Sequence, residues 1–153
     1  MEEVFFSFTM GGECLSLAAA KAVLDKLRRE PVLETIAGRG ARQKAGLADL
    51  IATHGCGAFA GVAGDPSWSF FTLADAPTAS AFELKTLFLQ EVFARGLLTL
   101  GTHNLSYAHS DADIADTLAV YDAVLPALKA AAEDGALRQL LRCEPLEPLF
   151  KVR

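Results

Sequence analysis

Phe5-Phe6-Ser7-Phe8-Thr9-Met10-Gly11-Gly12-Glu13, followed by the Ala-rich run from Cys14 to Glu30, is the stretch on which the reading of the fold turns. Its first half alternates, with Val4, Phe6 and Phe8 on one side and Phe5, Ser7 and Thr9 on the other, as an extended strand does. Two glycines then remove all side-chain bulk where a helix should begin. Leu15, Ala18, Ala19, Ala22, Val23 and Leu27 give that helix an apolar face, with Glu13 at its positive start and Lys26, Arg28 and Arg29 at its negative end. A hydroxyl, two bare glycine amides and a helix start in succession suit an anion, because unpaired N–H groups converge there. The spacing is neither G-x-G-x-x-G nor G-x-x-x-x-G-K-[ST], so on spacing alone a tight turn is the ordinary reading.

The remainder of the chain bounds the answer. A length of 153 residues fits one domain, with about two-thirds of the chain's surface open to burial. The hydrophobic fraction of 52% against 22% charged residues points to a generous core, or to surface meant to lie against something else. A net charge of −5 argues against nucleic acid and against an anionic membrane surface as partners. Apolar runs such as Leu97–Leu100 are far short of the roughly 18 residues that a bilayer span needs, and no signal peptide is visible. Cys14, Cys56 and Cys143 are an odd, widely spaced set, which fits a reducing cytoplasm better than a disulfide framework.

In chain order, Pro31 starts a second helix that reaches about His54. Leu33, Ile36, Gly40, Leu47, Leu50 and Ile51 mark its buried face, and its small residues admit another element closely. Residues 58–63 and 68–73, joined by Gly64-Asp65-Pro66-Ser67, read as a hairpin in which both faces of the second strand carry bulk. Ser80 and Glu83 form a capping box for a third helix, and Ser110 with Asp113 opens a fourth in the same way. Between them the sequence suggests a short strand over Leu97–Leu100, a loop over Gly101–Asn104 and another strand over Leu105–Ala108. The fourth helix carries the clearest stripe, Ile114, Leu118, Tyr121, Leu125 and Leu128, with Pro126 expected to kink it. A last helical turn, Ala136 to Arg142, precedes a Pro-rich tail. This order predicts an α+β fold: a small, largely antiparallel sheet with helices packed on one face, preceded by a long connecting helix.

The runs FSFTMGGECLSLAAAKAVLDKL and GLLTLGTHNLSYAHSDADI resemble the carboxy-terminal part of class III aminotransferases. The nearest branch is the one containing glutamate-1-semialdehyde aminomutase, fold-type-I enzymes that use pyridoxal 5'-phosphate (PLP). The resemblance is specific at Thr9–Ala20 and Ser106–Ile114 and looser between. It implies that residues 1–30 belong to the end of a large domain and a connecting helix, and 31–153 to a carboxy-terminal small domain. It also implies a homodimer in which Thr9, with the amides near Gly11 and Gly12, contacts the PLP phosphate held by the other subunit. His103 and Asn104 would stand where the family's loop faces a small amino or keto substrate.

PLP chemistry needs a lysine to form the Schiff base and an acid beside the pyridine nitrogen. Lys21, Lys26, Lys44 and Lys129 fall on solvated helix faces, Lys85 in the first turns of a helix and Lys151 in the tail. In the family the reactive lysine, the ring-nitrogen aspartate and the stacking aromatic lie upstream of where this chain starts. The expectation is therefore an aminotransferase or aminomutase piece that contributes no catalytic residue of its own and needs an amino-terminal cofactor domain. The rival is a freestanding α+β binding or oligomerisation module. His109 reads as a partner of Ser110 in capping, and His54 as a helix-end histidine. His54-Gly55-Cys56 has no C-x-x-C companion, and Asp111, Asp113 and Asp116 are explained by a helix start, so no metal is called for.

Overall fold

The computed structural model describes residues 11–135 and 137–147. Its elements are α1 (Cys14–Arg29), α2 (Val32–Thr53), β1 (Ala60–Asp65), β2 (Trp68–Leu73), α3 (Ala81–Ala94), β3 (Thr102–Asn104), α4 (Asp111–Asp134) and α5 (Leu137–Leu140). They make an α+β fold, with a three-stranded antiparallel sheet in the order β1-β2-β3. The chain divides into two compact units, Met1–Thr35 and Ile36–Arg153. The run Phe5–Thr9 lies outside the described residues.

Within the first unit, α1 buries none of its residues. Leu15 is 78% exposed and Val23 58%, and Leu17 and Leu24 are also open. Lys21–Asp25 at 2.8 Å and Lys26–Glu30 at 2.7 Å run along it as i,i+4 pairs, worth a few tenths of a kcal/mol each. Leu33, expected inside, is exposed, and Val32 is the buried residue at the start of α2.

In the second unit β1 and β2 form a hairpin in which Asp65 faces Trp68 across Pro66-Ser67. The Asp65 carboxylate accepts from the Ser67 amide at 2.9 Å and the Ser67 hydroxyl at 2.7 Å, closing the turn. The two faces of β2 are distinct: Ser69 and Phe71 are buried, while Trp68 is 57% exposed. Bulk on both faces hid this alternation in the sequence. Phe71 meets Phe88 of α3 at 4.8 Å and Tyr121 of α4 edge-on at 5.3 Å between ring centroids, which places the helices on the inner face. Leu84, Leu87 and Val92 of α3 and Val124, Leu125 and Leu128 of α4 complete that core.

Both capping boxes are formed, at Ser80/Glu83 and Ser110/Asp113. Helix α4 runs on past Pro126 to Asp134, where Gly135 at φ 68° ends it. The region 97–108 departs from expectation. No strand forms at Leu97–Leu100 or Leu105–Ala108; the third strand is Thr102–Asn104. Leu98 and Leu100 are 89% and 68% exposed, and of the run's leucines only Leu97 packs against the core. The Lys85 ammonium donates to the Leu100 carbonyl instead, and Gly101 turns the chain at φ 83° into β3.

Candidate functional site

At the start of α1, Glu13 is the N-cap, and its carboxylate accepts from Leu15 N–H at 3.1 Å and from the Ser16 amide and hydroxyl. The Ser16 hydroxyl, then the Ser16 and Leu15 amides, hold that carboxyl below its usual range. The sequence reading placed Glu13 at the positive helix end. It did not foresee that this side chain takes up first-turn amides that an arriving anion would use. Gly11 and Gly12 form the turn immediately before it. A Cβ built on Gly12 meets nothing within 4 Å among the described residues, so crowding does not require glycine there. Thr9 lies outside the described residues.

His103 sits in β3 opposite Ser69, and Asn104 opposite Trp68. Side chains alternate along a strand, so these neighbours leave the sheet on opposite faces. His103 is 6% exposed, whereas Asn104 is exposed. The His103 Nδ1 is 3.0 Å from the Ser69 hydroxyl and its Nε2 2.7 Å from the Tyr121 hydroxyl, with the Tyr121 ring edge-on at 5.6 Å. Burial, with a smaller contribution from Lys85, pushes the imidazole from 6.5 down to about 4. Burial also raises the Tyr121 phenol, so at neutral pH the chain Ser69–His103–Tyr121 is uncharged, with both ring nitrogens of His103 hydrogen-bonded.

His103 and Asn104 border one cavity of about 220 Å³, along with Gln43 of α2 and His109, Asp113 and Thr117 around the start of α4. Gln43, Ser69 and Tyr121 were not singled out from sequence as site residues. Gln43 had a legible signal, since it falls on the stripe Gly40, Gln43, Leu47, Ile51, where a lone amide among buried positions is out of place.

The remaining candidates have local roles. His109 Nδ1 accepts from the Ser106 amide at 2.9 Å, so it closes its own turn rather than capping α4 beside Ser110. His54 Nε2 meets Asp122 at 2.6 Å, and Cys56 is buried with its thiol toward the His54 and Leu125 carbonyls, both at 3.8 Å. Asp111 takes Arg39 at 2.9 Å and Arg42 at 2.6 Å on one carboxylate oxygen. Every described lysine has a carboxylate or carbonyl partner: Lys21 and Lys26 as above, Lys44 the Gly64 carbonyl at 2.6 Å, Lys85 the Leu100 carbonyl and Lys129 Glu133 at 4.0 Å. None of them lines the cavity beside His103.

A small antiparallel sheet with helices on its inner face, following a long helix, is consistent with the small domain of a PLP-dependent enzyme. A solved structure of that class is similar to this chain: the Sphingopyxis sp. MTA144 FumI protein in its PLP internal aldimine form, with a TM-score of 0.68 and 26% identity. The match covers 85% of this chain and 31% of the FumI chain, so this chain spans about a third of that neighbour's length. The likeness supports a relationship to PLP-dependent enzymes. No protein-family model matches the chain, and no curated protein does. Among the described residues no helix is long and apolar enough to cross a membrane.

Proposed function

We propose that this chain is the carboxy-terminal small-domain part of a PLP-dependent class III aminotransferase of the glutamate-1-semialdehyde aminomutase-like branch. The observation that carries the reading is the likeness to FumI over 85% of this chain but 31% of that one. PLP, when bound, supplies the electron sink through which an amino group is moved. Of the groups needed to hold it, this chain offers only those for the phosphate: the Thr9 hydroxyl and the amides of Gly11 and Gly12, in front of a helix start whose next amides Glu13 has already taken. The uncrowded Gly12 leaves room for a group to approach the backbone. The lysine that holds the cofactor belongs to an amino-terminal domain, and the phosphate contact is made across a homodimer. His103 and Asn104 stand on the substrate side, His103 as a fixed neutral wall and Asn104 as an exposed edge.

The open apolar residues of α1 fit this reading, because a helix with no buried residue needs a cover. Size-exclusion chromatography with a dye for exposed apolar surface tests it. Self-association and strong dye binding are expected of the chain alone, and both should fall when a cofactor domain is supplied. A monomer that ignores the dye would favour the freestanding module.

A further inference from the structure

We propose that the cavity between Gln43, the free edge of β3 and the start of α4 binds a small uncharged ligand whose hydroxyl or carboxamide groups both donate and accept hydrogen bonds. Gln43 is 4% exposed and its amide has no hydrogen-bond partner among the described residues. No sealed side-chain nitrogen or oxygen among those residues lacks a partner, so the Gln43 amide meets accessible space, and the space it borders is this cavity. An amide that faces an open cavity spends its hydrogen bonds on water, which a ligand with matching groups can replace. Packing alone would be better served there by leucine or methionine. A ligand that completes the amide's hydrogen bonds accounts for its presence.

The strand beside it offers matching groups. Phe71 N–H donates to the Gly101 carbonyl at 2.7 Å and Leu105 N–H to the Ser67 carbonyl at 3.0 Å. With Ser69 opposite His103, this ladder turns the main-chain groups of His103 toward β2 and those of Thr102 and Asn104 toward the open edge. That edge holds the Thr102 and Asn104 N–H donors and C=O acceptors, of which the Thr102 carbonyl already accepts from the Thr99 hydroxyl at 3.3 Å. His109 accepts at Nδ1, so the hydrogen of the neutral ring is on Nε2, a further donor on a bordering residue.

Charge selects against ions of either sign. No lysine or arginine lines the cavity, and Asp113 is its one carboxylate, which disfavours an anion. The Asp113 Oδ2 already accepts from the Ser110 amide at 2.6 Å and hydroxyl at 2.8 Å, and the positive end of α4 lies beside it, which disfavours a cation. Leu105 and Ile114 supply an apolar wall for the ligand's carbon skeleton. A volume of about 220 Å³ is below the roughly 300–1,000 Å³ of sites for drug-sized molecules, so a few-carbon compound or one end of a longer one fits. The proposal rests on the reading above only in making that ligand a substrate; the described residues that border the cavity belong to this chain, and binding there needs no cofactor.

The test is a titration of the full chain, without PLP, followed by ¹H–¹⁵N NMR. Erythritol and propanamide serve as probes, with acetate and ethylammonium as charged controls. The expected result is saturable shifts of the Gln43 side-chain amide and of the Thr102 and Asn104 amides with at least one uncharged probe, and at least tenfold weaker effects from the ions. Which uncharged probe binds tells hydroxyl from carboxamide. Gln43→Leu should lose binding at least tenfold while the rest of its ¹H–¹⁵N spectrum matches the parent's, and Gln43→Met repeats the comparison should leucine not fold. Absence of saturable shifts at these amides, equal binding of an ion, or a folded Gln43 variant that still binds would each overturn the proposal. Those results would leave the cofactor reading standing, and failure of the cofactor reading would leave binding here untouched.

Discussion

Between pH 6.5 and about 4 the folded chain keeps His103 neutral while the unfolded chain protonates it. The unfolded state then binds more protons, so stability rises with pH: it is fully present above 6.5 and lost as pH falls through that window. At 1.36 kcal/mol per pH unit the loss amounts to roughly 3 kcal/mol. Urea melts across this range should show it, and His103→Gln should flatten the slope; an unchanged slope would mean that another group titrates. Glu83, held at about 2 first by the Ser80 amide and then by Arg138, acts lower, its contribution fading from pH 4.5 downward. At the other end of the chain, Gly12→Ala should leave the melting temperature within about a degree, since its Cβ meets nothing within 4 Å among the described residues. A larger drop would show that the turn itself demands glycine. Residue-scale features were legible where partners are local in sequence: both capping boxes follow from a hydroxyl and a carboxylate three apart. Ser69–His103–Tyr121 was not, because its members come from three elements and no spacing relates them.

Helix α2 shows at the element scale how small residues act differently within one turn. A Cβ on Gly40 would run into the Pro66 carbonyl of the hairpin turn, whereas one on Gly38 meets nothing within 4 Å among the described residues. Gly38→Ala should therefore stabilise by up to about 1 kcal/mol through helix propensity. Gly40→Ala should cost about 1–3 kcal/mol, because the hairpin must move off the helix. Thermal melts of the two variants check this, and equal effects would contradict the close approach. The sequence suggested that something packs closely on this helix, but not that it is the turn at Pro66. Residues 97–108 were misread for a related reason. The Leu-rich run Leu97–Leu100 and Leu105–Ala108 look like strands, yet the pairing falls on Thr102–Asn104, where Ser69 and Tyr121 give His103 buried partners. Tertiary hydrogen bonding outweighed local hydrophobicity there.

At the scale of the whole molecule, the order of elements was enough for the α+β class, because helix starts and the turn at Pro66-Ser67 are marked locally in the sequence. The outer and inner faces of β2 were not readable, since aromatic residues occupy both. Nor could periodicity show that α1, amphipathic in pattern, buries none of its residues in this chain. The absence of buried residues on α1 and the likeness of this chain to about a third of a PLP-enzyme structure carry the proposal that the reactive lysine lies elsewhere. The most direct test is to incubate the purified chain with PLP, dialyse, record the absorption spectrum, and map any borohydride-fixed adduct by mass spectrometry, alone and with a lysine-bearing cofactor domain of the FumI type. The expected result is no lasting adduct on this chain and a stable one on the added domain; a lasting adduct on one lysine of this chain alone would contradict the account.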